Sequence, residues 1–163
     1  MDSAALAEVI LADLESVVER TRQAYLDRVP RLRQVSPAVL DSVLEATRRT
    51  MRQFCRYYLD GTLEAESWRL VRDATLERAG ETFSHGEILE IVDIAHGIGV
   101  ETIDALAERH PELSEDERAR VVQAMDRYVA ELAEQEDRLR RLSSPSRLDD
   151  ILGDLEREGA DLQ

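Results

Sequence analysis

The sequence predicts an all-α protein, and three observations carry that prediction. Apolar residues recur at three- and four-residue spacing over several long stretches, the period of one helix face. Strand signals are missing: there is no sustained alternation, and no Asn-Gly or Asp-Gly pair sits between two apolar runs. Aromatics make up only 4% of the chain, so the core must come from Leu, Val, Ile and Ala, which suit packed helices better than a sheet. At 163 residues the chain is long enough for one domain with its own core and too short for two.

The first segment, Ala4 to Arg28, puts Leu6, Ile10, Leu14, Val17, Val18, Thr21 and Tyr25 on one face, and Pro30 ends it. After a short basic link, Ser36-Pro37 gives a helix start, an N-cap followed by proline at the first helical position. This second helix should run to about Leu59, burying Val39, Leu40, Val43, Thr47, Met51, Phe54, Tyr57 and Tyr58, with Asp60-Gly61 stopping it. A third, from Leu63 to Ala79, should bury Trp68, Val71 and Thr75, with Leu70 at its margin and Gly80 as C-terminal cap.

Ser84 and Glu87 have capping-box spacing at the start of the fourth helix. Its apolar arc (Ile88, Leu89, Ile91, Val92, Ile94, Ala95, Ile98, Val100, Ile103, Leu106) is wide, which predicts a central helix touched on several sides. Pro111 ends it. Ser114 and Glu117 repeat the capping-box spacing for a fifth helix that reaches Leu142 without glycine or proline. Ser143-Ser144-Pro145-Ser146 reads as a linker and fresh N-cap before a short helix from Arg147 to about Arg157, bearing Leu148, Ile151, Leu152 and Leu155. The organisation expected is therefore six helices: a domain over 1–142, then a linker and short helix over 143–163.

Charge and composition exclude several function classes. The 35 acids outweigh 21 bases, all of them arginine, for a formal charge of −14. Such acidity opposes broad binding to nucleic acid or anionic lipid. A single cysteine, Cys55, excludes an intramolecular disulfide. No signal-peptide pattern and no run of the ~18 apolar residues needed to span a bilayer is present, so a cytoplasmic location and no membrane contact are expected.

The strongest single feature is the fifth helix. Val121, Met125, Tyr128, Leu132, Gln135, Leu139 and Leu142 alternate in steps of four and three, the seam of a coiled coil or bundle. Its length is roughly 42 Å at 1.5 Å per residue, and its second half is very polar off the seam. The expected use is a homodimer interface made by Val121, Met125, Tyr128, Leu132, Gln135 and Leu139, with Gln135 setting register; packing on its own domain is the alternative.

His96 lies in line with Leu89, Val92, Val100 and Ile103 and should point inward. With Val92, Gly99 and Trp68 it is a candidate ligand-binding residue. A haem-iron ligand is the sharper alternative, although haem pockets need apolar, aromatic walls that are scarce here. Gly99 falls on the apolar face and should permit close approach of another helix. Arg48, Arg49, Arg52 and Arg56 form a basic stripe expected to face carboxylates of the fourth or fifth helix. No nucleophile elbow, metal-ligand spacing or phosphate-cradling glycine loop occurs, so no catalytic residue, metal site or cofactor is expected.

Three places, Ser36-Pro37, Arg78-Ala79-Gly80 and Ala95-His96-Gly97-Ile98-Gly99, make residues 5–142 resemble the N-terminal sensory domain of RsbR-type stressosome proteins and of PucR/CdaR-like transcription regulators. The resemblance implies a globin-like helical bundle without haem, dimerising through its last long helices. It also implies a non-catalytic sensor and signal relay in bacterial transcription or stress control, with an output module downstream. Residues 143–163 hold one short helix, so the chain either belongs to a longer regulator with a fused output domain or acts on a separate regulatory partner. His96 stands where such domains often carry an aromatic residue, a departure from the pattern.

Overall fold

The computed structural model describes residues 1–142 and 152–159. It contains six α-helices over the first range: α1 Ser3–Ala12, α2 Leu14–Arg28, α3 Pro37–Asp60, α4 Ser67–Ala74, α5 His85–Arg109 and α6 Glu115–Leu142. Short 3-10 turns cover Pro30–Arg33 and Glu77–Ala79. Residues 152–159 are helical, and the described residues include no strand. No helix among them is long and apolar enough to cross a membrane. The predicted start of the last helix, Arg147 to Ile151, lies outside the described residues.

Two segments differ from the sequence expectation. The stretch Ala4–Arg28 is two helices, broken at Asp13, whose N–H still bonds the Val9 and Ile10 carbonyls. All seven apolar-face residues predicted there are nevertheless buried, because a one-residue bend keeps the face in phase. The stretch Leu63–Ala79 is helical only over Ser67–Ala74, followed by the 3-10 turn; Gly80 does close that turn, at φ 74°. Helix α3 matches its boundary signals: the Ser36 hydroxyl accepts from the Val39 N–H, and Gly61 terminates the helix at φ 75°, where a Cβ would be strained.

Helix α6 packs against α5, α3 and α4, and α3 packs against α1, α2, α4 and α6. Helix α5 lies between α2 and α6, and α1 lies on α3. The expectation of a central fourth predicted helix is thus corrected. On α5 only Ile88, Ile91, Ile94, Thr102, Ile103 and Leu106 are buried, while Leu89, Val92, Ala95, Ile98 and Val100 stay partly exposed. The wide apolar arc is covered on two sides rather than all round.

The seam of α6 is corrected as well. Val121, Met125, Tyr128, Leu132 and Gln135 are buried within the single chain, and Leu139 packs against its core. The four-three pattern is the core face of a bundle helix whose partners are α3, α4 and α5. A pattern of this kind reports only that a narrow stripe is covered, whichever chain covers it. Five of the six expected interface residues are thus covered within the chain, while Leu139 is partly covered and Leu142, the last seam residue, is exposed.

Candidate functional site

An apolar cavity of about 100 Å³ lies between α2, α3, α5 and α6, with Trp68 and Leu76 closing one end. Side chains converge on it because each helix turns its apolar face to the bundle axis. Tyr25 comes from α2, Val43, Ala46 and Phe54 from α3, Ile91 and Ile103 from α5, and Met125 and Leu132 from α6. The four predicted ligand candidates, Trp68, Val92, His96 and Gly99, all border this cavity.

His96 differs from expectation in orientation. Its ring remains partly exposed, and its Nε2 lies 2.7 Å from Asp126 Oδ1 on the outer side of α6. It is tethered outward, not aimed inward. A haem macrocycle finds no room beside it, since pockets for ligands of ordinary drug size already measure roughly 300–1,000 Å³.

Gly99 has the role expected of it. A Cβ there would lie 2.7 Å from Met125 Sδ, so the missing side chain is what lets α5 and α6 come together at the cavity wall. Gly97, two residues away, has open space at its Cβ position and no such duty.

The polar groups at the wall are already engaged. Thr47 donates its one proton to the Val43 carbonyl at 3.0 Å, so the Tyr25 hydroxyl, 2.8 Å away, is the donor to Thr47 Oγ1. Burial holds the Tyr25 phenol far above its ordinary range, and the Thr47 contact offsets only part of that. Thr50 and Thr102 donate back to the Thr47 and Ile98 carbonyls, and Arg20 donates to Thr102 Oγ1 at 2.9 Å. The Tyr128 hydroxyl lies 2.8 Å from both the Thr50 carbonyl and Gln53 Oε1. A ligand would therefore meet an apolar wall with its hydroxyls turned to the protein.

A polar cluster at the Trp68 end went unrecognised in the sequence. Helix α4 has no side-chain cap of its own. Gln135 of α6 supplies one: its Oε1 accepts from the Trp68 N–H at 2.9 Å and its Nε2 donates to the Glu64 carbonyl at 3.0 Å. Next to it Glu136, only 2% exposed, accepts from the Trp68 indole Nε1–H at 2.5 Å and from Arg72 Nη1 at 3.0 Å. His85, the first residue of α5, places a buried Nδ1 3.8 Å from Glu136 Oε1, without a hydrogen-bond partner among the described residues. Arg72 compensates the buried carboxylate, so this cluster ties α4 and the cavity end to the second half of α6. The one signal available was Gln135 itself, a polar residue on an apolar stripe.

The basic stripe finds other partners than expected. Arg48 forms two hydrogen bonds to Glu15 on α2, at 2.9 and 3.2 Å, and Arg49 pairs with Glu45 on its own helix. Arg52 and Arg56 instead border an outer groove between α1 and α3. No group of three or more metal-ligating side chains occurs among the described residues.

The fold and the site define a class, an all-α bundle with a small apolar cavity between its helices. No family model, curated protein or solved structure matches the chain.

Proposed function

We propose that the protein is a non-catalytic sensor that takes up a small apolar molecule in the cavity and passes the change to α6. The observation that carries this reading is the cavity itself, bounded by four helices and nearly free of available polar groups. Its volume of about 100 Å³ suits a ligand of a few heavy atoms; an engineered apolar cavity of about 150 Å³ admits benzene or xenon. The hydroxyls at the wall are satisfied by protein partners, which favours binding over chemistry. Relay through α6 is supported by Trp68, which borders the cavity and donates to Glu136 on that helix. The resemblance to bacterial stress and transcription regulators fits the same role, with the output supplied by a fused domain or a partner.

Calorimetric unfolding with benzene, other small arenes and xenon tests the reading. A ligand at a hundred times its Kd stabilises by about 2.7 kcal/mol, worth several degrees in Tm for a domain of this size. Ala46→Leu, which adds three carbons to the cavity wall, should abolish the rise, and Ala95→Leu serves if Ala46→Leu folds poorly. No rise with any of these probes would sink the proposal.

A further inference from the structure

Six large hydrophobic residues are strongly exposed among the described residues, and four of them fall on two complementary surfaces. Leu11 (42% exposed) and Leu59 (49%) border a groove of about 540 Å³ between α1 and α3, floored by Ala7 and Cys55. Leu152 (56%) and Leu155 (58%) project from the helix over 152–159, three residues apart and so on one face. The charges around the two surfaces are opposite. Arg52 and Arg56 line the groove, while its carboxylate, Glu15, is already held by Arg48. On the helix, Asp154 is held by Arg157, which leaves Glu156 and Glu158 as its outward acids.

We infer that the groove between α1 and α3 receives the acidic helix 152–159 of a second copy of this chain, with Leu152 and Leu155 between Leu11 and Leu59 and the flanking acids against Arg52 and Arg56. A second copy is favoured by reach. Helices α3 and α6 run antiparallel, since Tyr58 meets Glu117 while Tyr128 meets Thr50. The groove at Cys55 is therefore level with the first turns of α6, and Leu142 lies roughly 30 Å further along at 1.5 Å per residue. The ten Cα–Cα steps from Leu142 to Leu152 span at most about 36 Å when fully extended. A tail reaching its own groove would have to be almost fully extended along the bundle, with little length left to pass around it. Two copies set antiparallel would bring the end of each α6 level with the other's groove, and reciprocal exchange closes as a two-fold pair, with the same groove and the same tail used twice. Helix-in-groove recognition of this kind takes its affinity from the apolar anchors and its orientation from the charged rim.

Sedimentation velocity of the full chain over a concentration series tests this, independently of any cavity ligand. The wild type should shift from monomer to dimer as concentration rises. Leu152→Asp with Leu155→Asp, exposed positions whose exchange leaves the core intact, should weaken association at least tenfold. Arg52→Glu with Arg56→Glu should do the same, and adding Glu156→Arg with Glu158→Arg to that variant should restore dimers. Circular dichroism confirms that each variant keeps its helices. A wild type that stays monomeric throughout overturns the inference, as does a dimer indifferent to the tail leucines or to the charge reversal.

Discussion

Glu117 sits where three elements meet, and it shows how one side chain can leave the role its spacing implies. The Ser114 hydroxyl accepts from the Glu117 N–H at 3.1 Å, as a capping box requires. The carboxylate does not return to the N-cap, however; it accepts from Ser3 of α1 at 2.5 Å and from Tyr58 of α3. Burial pushes this carboxyl up, but those hydrogen bonds and Arg120 outweigh it, leaving it below the usual carboxylate range. Glu87 is also held low, by the Ser84 N–H against the opposing effect of burial, with Arg31 assisting. For a carboxyl lowered by folding, the stabilisation is complete above the ordinary carboxylate range and is lost as pH falls through the lowered value. Unfolding free energy should therefore drop as pH falls below the ordinary carboxylate range, and Glu117→Gln should flatten that slope in denaturant titrations. An unchanged slope would contradict the assignment. The first capping box, Ser84 with Glu87, was fully legible because both partners are local. The second was half legible, because the competitors for Glu117 come from 59 and 114 residues away. Cys55 matches its local reading as a packing residue: burial pushes its thiol up to about 11, away from thiolate chemistry.

Among the elements, α5 and α6 define the cavity and carry the sharpest contrast between neighbouring positions. Gly97 faces open space, so Gly97→Ala should stabilise the helix by up to about 1 kcal/mol through propensity alone. Gly99→Ala carries the same propensity gain but must displace Met125, so its net effect should be smaller or destabilising. Chemical denaturation of both variants checks the difference; equal gains would remove the close-approach role of Gly99. The period of each helix and most of its buried face were readable from sequence, down to Leu6 through Tyr25 on α1 and α2. Which helix occupies the centre was not. The wide arc of α5 argued for the centre, yet α5 packs mainly on α2 and α6, while α6, with a narrower stripe, packs on three helices and α3 on four. Arc width reports how much surface is apolar, and a partly exposed strip such as Leu89, Val92 and Ile98 inflates it.

For the whole molecule, the narrow stripe of α6 is buried inside the chain from Val121 to Gln135, while Leu139 is partly covered and Leu142 is exposed. The groove between α1 and α3 and the helix over 152–159 are the pair proposed for self-association. The cavity candidates were legible as members of apolar faces, and Trp68, Val92, His96 and Gly99 do border one cavity. The Gln135–Glu136 cluster that anchors α4 was not, because it depends on a helix some 65 residues distant in sequence, for which local period carries no information. Trp68 is the one tryptophan in the chain and stands at the cavity end, so its emission reports directly on what enters. Xenon, a heavy-atom quencher of indole small enough for the cavity, gives the most direct measurement of the central claim. Saturable quenching of Trp68 in the wild type, lost in Ala46→Leu, is the result predicted. Quenching that rises linearly with xenon pressure and is the same in both proteins would contradict it.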